Sequence, residues 1–314
     1  MIQNVRFLGP EPAQGVLEVS GGGSWPLLSF GPGTTSVISR LTLSRAVAKD
    51  YRHGAAISNA GALWVENCLI VSNRTEGGWG GGIYNAGDLA LVEVELRANA
   101  ALGAKGGNSV GLAPYSITNT PGAGGAGFGG AVFQETGTLK VTRCRLIANR
   151  ASGGANGTYG YKLSDQGNGR GGGPFGGGVG QEGGFGSGGG GVAADSSVGQ
   201  RGGFGGGSSG PTFGDWGFGG GLGSSGDLFF NYPRPGAGAG MGGGIFVRGG
   251  LVDLQSSVFI TNVAEGGIIQ TQGGGSGQGV GASLLVYGGE VRVDRCRFES
   301  GAARMAAQVR DKLY

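Results

Sequence analysis

Twenty acidic side chains, a single histidine and three cysteines make up this chain's inventory of catalytic and metal-ligating groups. Cleaving a sugar polymer would need two carboxylates at one spot, or Ca²⁺ held by several aspartates with a base beside it. Asp165, Asp195, Asp215 and Asp227 lie in one glycine-rich stretch, and their convergence would build such a centre. Spread singly among glycines, they read first as solvated turn residues. His53 has no second histidine with which to hold a metal or complete a triad. The odd cysteine count, with no CxxC, gives no redox or zinc motif. Matches to GxGxxG are plentiful but trivial at this glycine content, none opens a helix after a strand, and no GxxxxGK[ST] occurs. Neither an enzyme nor a cofactor or metal is expected. Trp64, Trp79, Tyr84 and Trp216 are aromatics that would suit sugar binding if exposed, with turn packing as their ordinary role.

The elements that would position any site follow from a repeat. Ile57, Leu63, Val65, Cys68, Ile70 and Asn73 recur 26 residues later as Ile83, Leu89, Leu91, Val94, Leu96 and Asn99. The series returns as Val132, Leu139, Val141, Cys144, Leu146 and Asn149, then as Ile245, Val252, Leu254, Ser257, Phe259 and Asn262. A last copy is Leu284, Val291, Val293, Cys296 and Phe298, with Gly301 at the Asn position, and a weak early one is Ile38, Leu41 and Leu43. Apolar pairs spaced by two signal strands with one buried face, and the gap of three between pairs signals a bend. Two short strands per coil cannot bury a core alone but can do so by stacking. The spacing therefore predicts an all-β, right-handed parallel β-helix of about seven coils.

Stacking assigns roles. Asn73, Asn99, Asn149 and Asn262 become an internal amide ladder that satisfies buried turn groups. Cys68, Val94, Cys144, Ser257 and Cys296 share one inward core position. Cys68 and Cys144, two coils or about 9.6 Å apart, are then too distant for a disulfide. Outward positions place Glu93 and Glu95 beside Arg143 and Arg145, a paired solvated face, with Arg295 and Arg297 repeating the basic pattern.

Glycine supplies 79 of 314 residues without a Gly-X-Y period, which excludes collagen. It concentrates at one corner of the coils, in residues 103–130, 153–243 and 266–281. The longest stretch holds Phe175, Phe185, Phe204, Phe213, Trp216 and Phe218, whereas disordered segments are poor in aromatics. The expectation is an ordered glycine layer, packed backbone to backbone in the three-fold conformation of polyglycine II, with those aromatics as its contact surface. The parts are coils over 1–152, the glycine-rich insert over 153–241, further coils over 242–301 and a capping helix over 302–314 with Met305, Val309 and Leu313 as its stripe. Ile2, Val5 and Phe7 match the later part of a coil, as in a segment of a longer protein or an assembly edge completed by a neighbouring subunit.

GGGIYN at Gly80–Asn85, GGAV at Gly129–Val132, GGGI at Gly242–Ile245 and FITN at Phe259–Asn262 resemble the GGA[ILV] and FxxN repeats of chlamydial-type polymorphic outer membrane proteins. The insert is similar in composition to the glycine-rich layers of phage tail-tip adhesins. The resemblance implies a secreted or cell-surface protein of structural or adhesive function. With a net charge of +3, no block of like charge and no apolar run long enough to span a bilayer, neither nucleic acid nor a membrane span is expected. The first residues lack the pattern of a signal peptide, so an export signal is expected outside this sequence or of another kind. The expected partners are other copies of the chain, joined end to end or through the glycine layer into a filament, or a surface ligand. A carbohydrate-active enzyme and a phage-type receptor-binding tip are the competing readings.

Overall fold

In the computed structural model the chain is all-β with parallel sheets. The structure describes residues 4–50, 53–109, 111–112, 116–117, 120–159, 170–192, 199–210, 217–224, 234–270 and 274–305. Among these the helical content is one 3-10 turn, Pro12–Gln14.

Each copy of the repeat supplies four strands, two more than the alternation alone predicts. In the copy opening at Ile57 they are Ile57–Asn59, Ala62–Glu66, Leu69–Val71 and Arg74–Glu76. Each strand pairs in parallel with its equivalents in neighbouring copies, which gives four sheets of six, seven, seven and six strands. In chain order these are the entry, long-strand, corner and exit sheets. Register is set by the apolar pattern: Leu63 pairs with Leu89, Leu89 with Leu139, Leu139 with Val252 and Val252 with Val291. A slip of one residue would turn Trp64 inward and Leu63 out.

Bends separate the sheets. Arg40, Asn67, Glu93, Arg143, Ser256 and Arg295 all adopt left-handed backbone, φ 49–57°, between the long-strand and corner sheets. A second series, Arg45, Ser72, Ala98, Ala148, Thr261 and Ser300, does the same before the exit sheet. One left-handed residue turns the chain sharply without ending the stack. Where the chain re-enters a copy the same conformation falls on Gly54, Gly80, Gly129, Gly242 and Gly281, and it is this need that the GG[GA] signature records.

The interior is one continuous hydrophobic column running from Phe30 to Phe259. Asn73, Asn99, Asn149 and Asn262 are fully buried within it. Each of the first three donates its amide to Oδ1 of the next, at 2.9, 3.0 and 3.0 Å. Each Oδ1 also accepts a backbone N–H from the preceding copy, as in Ala46 to Asn73 at 2.9 Å and Asn73 to Asn99 at 3.1 Å. The second amide hydrogen reaches back to Leu43, Ile70, Leu96 and Leu146 carbonyls, so the ladder leaves its buried groups paired. Cys68, Val94, Cys144 and Ser257 are buried at one level and Cys296 partly so. All three thiols are free.

Near both ends of the chain the structure departs from the expectation of the sequence. Ala302–Arg304 is a strand, paired with Val263–Glu265, and not the start of a helix. Continuation of the exit sheet outweighs the helical propensity of two alanines. Met305 is exposed, while Val309 and Leu313 lie outside the described residues. Asn4–Leu8 is the outermost strand of the long-strand sheet, where Phe7 stands opposite Ile38 and so belongs to the first apolar pair of a copy and not to its later part; Val5 and Phe7 are exposed at its edge, and Ile2 lies outside the described residues.

Candidate functional site

The described segments of the glycine-rich stretches pack against the entry side of the stack. Consecutive residues of residues 123–125 hydrogen-bond in different directions. Ala123, Gly124 and Gly125 donate to the carbonyls of Gly189, Gly236 and Ala104, and accept from Gly172, Gly207 and Gly154. That segment therefore bonds to six separate stretches of chain. Residues 236–238 do the same, donating to Ser208, Gly275 and Gly154 and accepting from Gly124, Gly221 and Gly267. Such packing leaves no room for side chains. A Cβ on Gly124 would sit 2.1 Å from the Gly154 carbonyl oxygen, and one on Gly238 would sit 1.9 Å from that of Gly125.

The layer turns back on itself at a recurring G-F-G-[GS] sequence. Gly184–Ser187, Gly203–Gly206 and Gly217–Gly220 each close a turn with a hydrogen bond from the fourth residue to the first, at 2.9, 2.8 and 3.0 Å. The third residue, Gly186, Gly205 or Gly219, has φ 73–79°, as this turn type demands. Identical turns in stacked layers place their phenylalanines in a ladder. Phe185 and Phe204 stack at 5.5 Å and 7°, Phe204 and Phe218 at 5.5 Å and 10°.

The inner side of this ladder meets an aromatic cluster. Phe128, Phe133, Phe246 and Trp79 are buried there, with Phe128 5.2 Å from Phe185 and Trp79 5.6 Å from it. His53 is stacked on both Trp79 and Tyr84, at 4.7 and 5.0 Å. Its Nδ1 accepts the backbone N–H of Trp79 at 3.0 Å, which leaves the ring proton on Nε2. Burial lowers the His53 pKa to about 4 and raises that of Tyr84 to about 12, so both are neutral near pH 7.

The outer side is open. Phe175, Phe218 and Tyr287 are exposed, and Phe185 and Phe204 are partly so. Tyr287 lies 4.4 Å from Phe204 and 5.4 Å from Phe185. The Arg248 guanidinium sits 4.3 Å over the Phe185 ring and is 2.5 Å from Glu135. Burial raises the Glu135 carboxyl pKa against the opposing pull of Arg248. Glu135 Oε2 is buried without a hydrogen-bond partner. Comparison with protein-family models, curated proteins and solved structures returned no match for this chain.

The sequence-derived candidates fall into place unevenly. Phe175, Phe185, Phe204 and Phe218 share this edge; Phe213 and Trp216 lie outside the described residues, as do Asp165, Asp195, Asp215 and Asp227. Trp79 is a buried part of the cluster and not an exposed sugar platform, whereas Trp64 is exposed on the long-strand sheet, where it donates to Glu66 at 3.0 Å. The Glu66 position holds Val92, Thr142, Gln255 and Asp294 in successive copies. The expected charge pairs form: Arg143 meets Glu93 at 2.8 Å and Arg145 meets Glu95 at 3.5 Å. Glu93 and Arg143 occupy the left-handed bend and not the strand, and Arg295 and Arg297 pair within their own copy with Asp294 and Glu299. Among the described residues no three His, Cys, Asp or Glu gather as metal ligands. Burial raises the thiol pKa of Cys68 and lifts that of Cys144 to about 11, which disfavours reactive thiolates.

A second amide ladder escaped the sequence reading. Asn59 donates to Asn85 at 2.7 Å, and Asn85 to Gln134 at 2.8 Å, all three fully buried in the entry sheet. Its signal was the recurrence of an amide two residues after Ile57, Ile83 and Val132.

Proposed function

We propose that the chain is a right-handed parallel β-helix carrying a polyglycine-II-type layer, and that it serves as a non-catalytic adhesive module at a cell surface or outside the cell. The single observation behind the adhesive role is the stacked ladder Phe185, Phe204 and Phe218 with Tyr287 beside it, an aromatic edge open to solvent. Exposed apolar edges of this extent mark contact surfaces, and the hydrogen-bonded layer holds the rings without loss of loop entropy on binding. Right-handedness follows from the rule for parallel strand crossovers. The surface location rests on the repeat's resemblance to bacterial surface proteins. The test is retention of labelled full chain on bacterial and host cell surfaces, for wild type and for Phe218→Ala combined with Phe175→Ala. Both rings are exposed, so folding is expected to survive while retention falls about tenfold or more; unchanged retention would sink the reading.

Self-association is the second reading. Val293 and Phe298 in the outermost copy are 50% and 45% exposed, whereas their equivalents Leu254 and Phe259 are fully buried. At the other side of the stack Phe7 is 36% exposed and its equivalent Ile38 is buried. Stacking of copies would cover both faces and extend the sheets. Electron microscopy at rising protein concentration decides it: fibres with a regular axial repeat support stacking, and monodisperse short rods at every concentration exclude it.

A further inference from the structure

We infer that two molecules join head to tail, Asn4–Leu8 and Leu17–Ser20 of one continuing the long-strand and corner sheets of the other beyond its Glu290–Asp294 and Arg297–Glu299. The inference rests on the self-association reading above and fixes its polarity, its register and the residues at the join. The long-strand and corner sheets have seven strands where the entry and exit sheets have six, so these two carry the contact. Followed from repeat to repeat, the inward rows that begin at Val5 and Phe7 end at Val291 and Val293. The row that begins at Val19 ends at Phe298. A second molecule set on the first in this register covers Val293 and Phe298 with Phe7 and Val19, as each is covered inside the stack by the next member of its row. The outward rows agree. Glu18 opens the row that runs through Glu95 and Arg145 to Arg297. Inside the stack this row already sets opposite charges on adjacent repeats, with Arg145 3.5 Å from Glu95. Across the join Glu18 faces Arg297, and both are exposed enough to meet. Arg6 faces Arg292 there, with Glu290 and Asp294 flanking Arg292 on the same face of its strand, which offsets the repulsion.

Strand direction selects head to tail over like to like. A two-fold axis across the stack reverses every strand and the order of the sheets around it. Such an axis can lay the long-strand sheet on itself, but it then sets the corner sheet over the entry side. Head-to-tail contact keeps every strand parallel to its continuation, as throughout the stack, and a contact of this kind does not close but repeats into a filament.

Two measurements on the full chain test this. The axial repeat of fibres grown at high concentration reads the polarity: seven levels at about 4.8 Å give about 34 Å per molecule, whereas like-to-like pairing doubles this to about 67 Å. Cross-linking reads the register. Glu18→Cys and Arg297→Cys are made separately in a Cys296→Ser background, serine being the residue that Ser257 already supplies at that level in the preceding repeat. Across the join the two new thiols lie about 4.8 Å apart between Cα atoms, within disulfide reach. Mild oxidation of the equimolar mixture is expected to give about tenfold or more covalent dimer than either variant oxidised alone. No excess dimer in the mixture, dimer from one variant by itself, or fibres with the doubled repeat would each overturn the head-to-tail register while leaving self-association standing. Wild-type chain that stays monomeric at every concentration would overturn both.

Discussion

At the scale of single residues, the polar interior of the stack is marked by two series of amides that repeat along it. Asn99 shows why they cannot be exchanged for hydrocarbon. Its Oδ1 accepts from the Asn73 backbone and side chain, and its Nδ2 serves Ile70 and Asn149. Asn99→Leu would orphan several buried groups together, so a loss of ~3 to 5 kcal/mol is expected in denaturant unfolding. His53 makes a different prediction. Its folded pKa lies near 4 against an ordinary 6.5, so between those values the unfolded chain binds the proton and the folded chain does not. Stability is therefore full above pH 6.5 and declines as pH falls towards 4, by up to about 3 kcal/mol. Glu135, whose carboxyl pKa is raised by burial, acts in the opposite sense, its contribution to stability growing as pH falls. Melting temperatures measured from pH 7 to pH 4 should show the decline, and His53→Gln should flatten it while lowering stability at pH 7 through the lost stacking on Trp79 and Tyr84. The first ladder was legible in the sequence because Asn recurs alone in polar turns at a fixed spacing. The second was not, because Gln134 replaces Asn and the strand holding it is only three residues long.

At the scale of elements, what the sequence showed depended on strand length. The five-residue strands such as Ala62–Glu66 carry a full apolar alternation, and their place and register follow from it. Strands such as Arg74–Glu76 offer one inward residue, Thr75, and no alternation to detect. The aromatics of the glycine-rich stretches pointed to a packed layer, yet the hydrogen-bond directions of its described residues were not legible, since glycine sequence is the same whichever neighbour each residue faces. The layer does set one rule that can be tested. Ala123 and Ala237 are fully buried in it, so a methyl group is tolerated where the Cβ points between chains. At Gly124 the added Cβ would run into neighbouring backbone, with Gly154 O at 2.1 Å and Ala155 O at 2.8 Å. At Gly178 the nearest atom is the flexible end of Gln181, at 3.0 Å. Gly124→Ala is expected to loosen the layer and to speed limited proteolysis within residues 160–233, at a stability loss of ~2 kcal/mol or more. Gly178→Ala should digest like the wild type.

At the scale of the whole molecule, the β-stack and the glycine layer are mutually dependent, and the aromatic cluster is where that dependence is stored. Phe128, Phe133 and Phe246 project from the entry side of the stack and are fully buried. Their cover on that side includes Phe185 and Phe204, which belong to turns of the insert. An insert of this length would ordinarily behave as a dispensable surface loop. Here its excision would leave a contiguous apolar patch, because nothing in the repeat itself replaces those two rings over Trp79 and Phe128. The layer, in turn, meets the stack through the rings of Phe175, Phe185 and Phe204 along this edge and is knit by backbone hydrogen bonds beyond it. Replacing residues 160–233 by a short Gly-Ser linker is therefore expected to give a chain that keeps its β-sheet circular dichroism but associates, eluting from size exclusion at increasing apparent mass as concentration rises. Adding Phe128→Ser and Phe246→Ser to the excised chain should restore solubility in part, since those rings form the uncovered patch. A soluble, monomeric excised chain would show that the stack buries its own entry face, and the glycine layer would then be an appendage whose only task is to carry the aromatic edge.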